Sequence, residues 1–400
     1  MNGLPIPAQL IPQIYYWGVF IVCLFLYFNY AGSDNCNKLL QKNSMAPALL
    51  LSFVLMLLIG LRPLHYIFGD SVNYAHGYKY DSINTTFALD FNKEWLWGFI
   101  RDTFRVMGLP VNMWFFFVAI VYLGFVFFAV QKLVGENCWM AMLFFLSAFS
   151  TYQFGVNGIR NGMACSMVIF AFAIAANNGI SKLIMAGVVL LLAFGIHRSI
   201  SLPIAAFLSA TYVVKSPKWA IYFWLFSIVV SLVAGGTMIN FFSGLGFDDR
   251  MSAYANSMDE YADSFSSTGF RWDFLAYSAM PVWLTWHVVK KAEKERTQYG
   301  DTIEEMETGV IGAGRIADVH SMRVFNILAT TYILANSFWV MVIRAAFSNR
   351  FAYLSWFLYP IVIAYAVIRL HIWDDQDRKA GLILLLHACF TLVMYMIGKA

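Results

Sequence analysis

The chain has 400 residues, of which 60% are apolar and only 12% are Asp, Glu, Lys or Arg, with a formal net charge of +4. Soluble globular chains carry about twice that share of charge, so a water-soluble surface is excluded, and about a dozen bilayer crossings of roughly 20 residues fit the apolar content. A charge this small and this scattered is no nucleic-acid footprint.

Apolar runs bounded by polar or turn residues predict crossings at about 12–31, 46–61, 111–130, 138–153, 159–177, 182–196, 199–214, 219–238, 272–289, 323–346, 352–369 and 380–397. The expected fold is an all-α polytopic membrane protein of about 12 transmembrane helices, a single integral membrane domain over residues 1–400. No basic residue precedes Lys38, so the charged region of a cleavable signal is missing and the first run is expected to stay as an anchor. Cys23, Cys138, Cys165 and Cys389 fall in or beside apolar runs and Cys36 in a polar loop, which gives no disulfide framework.

The connections alternate in character. Lys38 and Lys42, then Lys132, Lys182, Lys215, Lys218, the cluster Lys290, Lys291, Lys294 and Arg296, and finally Arg378 and Lys379 share one side. The positive-inside rule makes that side the cytoplasm and puts both termini outside the plasma membrane. On this topology lysines lie mainly inside and arginines mainly outside. Arginine is the side chain suited to planar, bidentate binding of phosphate or carboxylate, so its bias toward the outer face points to an anionic ligand there. Anchoring at lipid headgroups is the plainer explanation for any one of them.

Three loops stand out. Residues 61–110 form a long outer loop in which 93–107 places Leu96, Phe99, Ile100, Thr103, Phe104 and Met107 on one face, the pattern of an interfacial amphipathic helix. Residues 240–271 are expected to cap the outer end of the bundle, and residues 290–322 to form a cytoplasmic loop. None is large enough for a separate catalytic domain, so any chemistry must hang on the membrane helices.

The ends of those helices supply the candidates. Gly60-Leu-Arg62-Pro63 closes the second run and leads to Gly69-Asp70-Ser71-Val-Asn73-Tyr74. A partly desolvated carboxylate such as Asp70 can act as a general base, or simply pair with a nearby arginine. Asn157-Gly-Ile-Arg160-Asn161 opens a middle helix. A cation at a helix N-terminus is locally unfavourable and is better explained by an anion held jointly with the free amides. Between Lys182 and Lys215 two spans share about 50 Å of helix where two full crossings need about 60 Å. The turn His197-Arg198-Ser199 is therefore expected below the outer surface, where ionisable groups face a wet cavity or a partner. His197 could serve as the base at neutral pH or merely cap the turn.

These stretches together resemble the EpsG-like branch of the Wzy-type polysaccharide polymerases. The residues that carry the resemblance are Gly60-Leu-Arg62, Gly69-Asp70-Ser71 through Tyr74, Ile159-Arg160-Asn161, His197-Arg198-Ser199 and a late Asn349-Arg350-Phe351, over roughly residues 55–360. Asn161 stands where the family usually has Gln. The resemblance implies a GT-C-like enzyme of the bacterial inner membrane. Its reaction would be transfer of a growing glycan from undecaprenyl pyrophosphate onto a new lipid-linked oligosaccharide repeat unit at the outer face.

On that reading His197, Asp70 and Arg160 are catalytic candidates. Arg62, Arg198, Arg350, Tyr74, Asn157, Asn161, Arg271 and Arg344 are candidates for substrate and pyrophosphate binding. Prepositioned arginines would stabilise the departing diphosphate, so no metal site and no cofactor are expected. The expected partners are the undecaprenyl-pyrophosphate-linked oligosaccharides, membrane lipid and a chain-length regulator, with no nucleic acid.

An O-antigen ligase or another lipid-linked sugar transferase would use the same groups. A transporter or flippase would instead keep its ionisable groups near the midplane, between two repeated halves. Three further motifs read as decoys: Gly312-Ala-Gly314-Arg-Ile-Ala317 has no room for a βαβ unit, Asp375-Gln-Asp377 reads as a short solvated turn, and Asn84-Thr-Thr86 is a sequon of little weight.

Overall fold

The structure, a computed structural model, describes residues 3–31, 45–83, 94–176, 179–214, 216–244, 270–299, 316–345 and 348–398. Regular structure among these residues is entirely helical. A chain that places this much backbone in hydrocarbon must satisfy its N–H and C=O groups within each segment, and the helix does so. Among the described residues six helical stretches are long and apolar enough to cross a membrane: Leu10–Ala31, Val111–Leu146, Pro217–Gly235, Val319–Met341, Arg350–Arg369 and Gln376–Met396. Met45–Gly60, Ile159–Ala175 and Ile180–Ile196 are apolar but shorter. This is a membrane protein. The twelve runs read from the sequence all fall on helix, yet six stretches meet the length and hydropathy of a full span, because several runs are short or broken.

The chain divides into two compact units, Met1–His197 with Trp373–Ala400, and Arg198–Ile372. The first contains α1 (Leu10–Ala31), α2 (Met45–Gly60), α3 (Ser71–Tyr80), α4 (Trp95–Val106), α5 (Val111–Val134), α6 (Cys138–Leu146), α7 (Thr151–Val156), α8 (Ile159–Ala175) and α9 (Ile180–Ile196), with the helix Gln376–Met396 packed along α1. Helix α5 lies against both α2 and α8, and α9 against α8. Gly60 sets the first contact: a Cβ there would lie 2.7 Å from the Phe116 Cα, so α2 and α5 meet backbone to backbone. Small residues serve this purpose in membrane bundles, where close approach rather than hydrophobic exclusion holds helices together.

The expected span at 138–153 is interrupted between α6 and α7. Ser147 Oγ donates to the Leu143 carbonyl at 2.6 Å and Thr151 Oγ1 to the Phe145 carbonyl at 2.6 Å. These hydroxyls occupy carbonyls near the break, which is how broken backbone is tolerated at membrane depth. Helix α4 is amphipathic, as its pattern predicts. Trp97 and Asp102 are buried, while Phe99 and Met107 are exposed. The Asp102 carboxylate is held inside the protein, where Arg101 and Arg105 on the same helix both reach it, at 2.9 and 3.3 Å.

The second unit contains α10 (Ser201–Tyr212), α11 (Pro217–Gly244, kinked at Ala234), α12 (Trp272–Tyr299), α13 (Val319–Met341), α14 (Ser348–Trp356) and α15 (Tyr359–Arg369). Helix α13 is its axis and touches each of the others. At its centre Asn336, fully buried, accepts from Trp224 Nε1 at 2.8 Å and donates to Ser355 Oγ at 3.0 Å and Ser278 Oγ at 3.3 Å. Ser278 Oγ also accepts from Trp356 Nε1 at 2.7 Å. A buried amide whose oxygen and nitrogen are both engaged fixes the register of four helices at once.

Most of the expected cap at 240–271 and residues 300–315 of the loop at 290–322 lie outside the described residues, as do the sequon and Gly312-Ala-Gly314. The turn at Asp375–Asp377 is less solvated than its composition suggests. Asp375 pairs with Lys379 at 2.7 Å in the open, but Gln376 and Asp377 are buried, and Gln376 Oε1 takes the Trp373 N–H at 3.0 Å. The glutamine folds the turn back on itself and carries Asp377 inward.

Candidate functional site

At the end of α2 the chain leaves the helix at Pro63, which cannot continue it, and Arg62 turns inward. The guanidinium is 1% exposed. It donates to the Ile59 carbonyl at 2.5 Å, to the Val156 carbonyl at 3.0 Å and to Ser71 Oγ, and it lies over the rings of Phe68 and Phe115. Burial lowers its pKa to about 10, which leaves it charged at neutral pH. Among the described residues its partners are protein carbonyls, a hydroxyl and aromatic faces, with no carboxylate. Arg62 thus ties the end of α2 to the start of α3 and to the last carbonyl of α7.

The next residue after Val156 continues the link. Asn157 Oδ1 accepts the backbone N–H of Asp70 at 2.8 Å. Gly69, at φ 57°, makes room for that amide, since a Cβ there would stand 2.4 Å from Asn157 Oδ1. Only glycine takes this backbone without strain and without a clash. The two motifs around Asp70 and Asn157, 87 positions apart, are therefore one construction. Gly162 tightens the hairpin behind it, because a Cβ would lie 2.5 Å from the Phe154 carbonyl oxygen.

Arg160 sits in the first turn of α8, and His197 caps α9 with extended backbone. Both reach one carboxylate. Glu94 Oε2 accepts from Arg160 Nη1, and Glu94 Oε1 lies 2.7 Å from His197 Nδ1. Arg160 also lies over the Tyr74 ring, 5.7 Å from its centroid, and Tyr74 in turn packs edge-on to Trp97. The three charged or titratable side chains are part-buried, at 15%, 15% and 21% exposure for Arg160, His197 and Glu94. A carboxylate only accepts, so a neutral His197 carries its hydrogen on Nδ1 and leaves the Nε2 lone pair available. The Nε of Arg160 is buried and has no hydrogen-bond partner among the described residues.

What brings Glu94 to this place is a glycine on α9. A Cβ on Gly195 would lie 2.6 Å from the Trp95 indole, so the start of α4 rests directly on the end of α9. Glu94 was not among the residues singled out by sequence. Its partners are 66 and 103 positions away, and nothing local to it signals either contact.

The remaining candidates are placed as follows. Asn161, one position past Arg160, accepts from the Cys165 thiol at 3.1 Å within its own helix. In the second unit Arg198 is exposed on the turn Arg198–Ile200 and Arg350 is half-buried in α14. Arg271 is held bidentately by Asp273, at 2.9 and 2.7 Å, and stacks on Phe274 at 3.6 Å. Arg344 packs beside Gly235 and over Phe270. The first unit thus joins Arg160 and His197 through Glu94, with Tyr74 under Arg160 and with Arg62, Asp70 and Asn157 building the adjoining turn.

The same helices carry lysines at their far ends. Met45 at the start of α2, Lys132 near the end of α5, Glu136 just beyond it and Lys182 at the start of α9 line an open cleft of about 700 Å³. Helix α9 runs from Ile180 to Ile196, so Lys182 and His197 are separated by roughly 22 Å of helix. Lys132 and Lys182 therefore lie at the opposite end of the first unit from the Arg160–Glu94–His197 group.

A family model described as the EpsG family matches residues 46–400. Comparisons with curated proteins and with solved structures return no match. The chain belongs to the EpsG family.

Proposed function

We propose that this EpsG-family membrane protein is a polysaccharide polymerase that moves a growing glycan from an undecaprenyl diphosphate carrier onto a lipid-linked repeat unit at the outer face of the bacterial inner membrane. The observation that carries the reading is the convergence of Arg160 and His197 on Glu94. A base with a free lone pair and a cation with an unengaged buried N–H stand within one side chain of each other, at the lysine-poor end of the unit. By the positive-inside rule that end is the outer one.

In the reaction the bond between the anomeric carbon and the diphosphate oxygen breaks, and the diphosphate leaves with the electron pair. The acceptor hydroxyl oxygen bonds to that carbon and gives its proton to His197 Nε2. Arg160 and the first-turn amides of α8, which have no acceptor within the helix, meet the developing negative charge without rearrangement. Tyr74 and Trp97 offer aromatic faces beside the arginine. Asp70 is the weaker candidate for the base, because its neighbours Gly69 and Asn157 build a turn, whereas His197 shares its partner with the anion-binding arginine. Arg62 acts in this scheme by holding that turn. Arg198, Arg271, Arg344 and Arg350 complete the set of candidates for the lipid diphosphates. The GT-C relationship, the count of about twelve crossings and a chain-length regulator as partner belong to the same proposal.

The test is reconstitution of the full chain in nanodiscs with lipid-linked repeat units extracted from a host strain that lacks this protein. The wild type is expected to yield a ladder of polymer lengths. Arg160→Ala and His197→Ala, folded, are expected to lose it by at least about a hundredfold. Full ladders from both variants would exclude this site. Repeat units crossing the bilayer without a ladder would indicate transport instead.

A further inference from the structure

Arg160 lies where a cation is least favoured, at the positive end of α8, and the anion that compensates it belongs to the protein. Glu94 Oε2 occupies the guanidinium, and Glu94 Oε1 holds His197 Nδ1 at 2.7 Å. One carboxylate therefore has two oxygens on two different elements. Both partners are part-buried, so each is held in a medium where an unpaired charge is costly. Glu94 precedes the first residue of α4, and the Trp95–Gly195 contact fixes where that helix begins. Its backbone is therefore pinned, and an exchange at Oε2 requires only the side chain to turn.

We propose that Glu94 is a built-in substitute for the substrate's diphosphate. It neutralises Arg160 in the empty site and surrenders it to the diphosphate oxygens when the lipid-linked donor arrives, while Oε1 keeps His197 Nδ1–H in place. The inference rests on the reading of the site as diphosphate-binding and adds a positioning residue to it. Glu94 touches neither the reacting carbon nor the transferred proton; it acts through Arg160 and His197. The exchange explains how an arginine can stand at a helix N-terminus in a partly dry site without a ligand. It also ties the orientation of the base to the arrival of the donor, since the oxygen that holds His197 is part of the group that Arg160 leaves. The other charged groups of α4 are engaged with one another: Arg101 with Asp81 and Asp102, and Arg105 with Asp102.

The probe is inorganic diphosphate, titrated into the full chain in nanodiscs. Removing an internal competitor raises affinity, so Glu94→Gln is expected to bind diphosphate about fivefold more tightly than wild type. Glu94→Asp, whose shorter carboxylate cannot span both partners, is expected to fall between the two. Arg160→Ala is expected to bind more weakly than wild type. With extracted lipid-linked repeat units, Glu94→Gln is expected to lower kcat about tenfold or more while KM stays level or falls. A purely structural defect does not raise affinity for an anion.

Diphosphate binding no tighter than wild type in whichever of the two Glu94 variants folds would overturn the proposal, as would a rise in KM without loss of kcat. If Glu94→Gln matches wild type while Arg160→Ala binds weakly, the role of Glu94 fails and the diphosphate site stands. If Arg160→Ala binds diphosphate as well as wild type, the reading of the site itself fails.

Discussion

Arg62 is a cation held in the interior with no acid among its partners in the described residues. Its three acceptors are the carbonyls of Ile59 and Val156 and the hydroxyl of Ser71, and two phenyl faces close over it. Such a group is structural in effect even when it sits beside a site. Arg62→Ala leaves a cavity and releases the Ile59 carbonyl, so we expect a loss of about 2–4 kcal/mol of stability, measured as a lowered melting midpoint in detergent. Turnover per folded molecule is expected to change little. Full stability with no turnover would instead make Arg62 a ligand of the substrate. The sequence made Arg62, Asp70, Arg160 and His197 conspicuous because each is a polar group at the end of an apolar run. It left Glu94 invisible, because an acid at the head of an amphipathic stretch looks like any solvated helix start.

At the scale of elements, the site depends on where short helices are allowed to touch. Gly60, Gly69, Gly162 and Gly195 each stand where a Cβ would meet a neighbour at less than 3 Å. The contact at Gly195 is the one that sets chemistry, because the rigid Trp95 indole would have to move and Glu94 is the next residue. Gly195→Ala is expected to leave a folded protein, weakened by about 1–3 kcal/mol, whose ladder formation falls at least tenfold, since an ångström of misplacement near reacting groups can cost about a hundredfold. The rate of ladder growth per folded molecule checks it; wild-type growth would mean that α4 does not position Glu94. Hydropathy located the helices well, for apolar runs in a bilayer have no other structure to adopt. It did not locate the break between α6 and α7, because Ser147 and Thr151 look like ordinary small residues until their hydroxyls are seen on Leu143 and Phe145.

For the whole molecule, sequence supplied the class and the family resemblance, and the helices and the family match over residues 46–400 bear both out. The two-unit division had no signal in composition, since both units are equally apolar and their boundary falls inside the turn His197-Arg198. Lys132 and Lys182 lie at one end of the first unit and the Arg160–Glu94–His197 group at the other. On the proposed function, the end with Arg160 trades a lipid diphosphate for a glycosidic bond. Counting both products in one reaction tests it most directly: the purified chain in nanodiscs, given extracted lipid-linked repeat units, is assayed for polymer length and released undecaprenyl diphosphate together. One lipid diphosphate is expected to be freed for every repeat unit joined, with both signals lost in Arg160→Ala. Polymer that lengthens without freeing lipid diphosphate, or lipid diphosphate freed without any bond between repeat units, would contradict it.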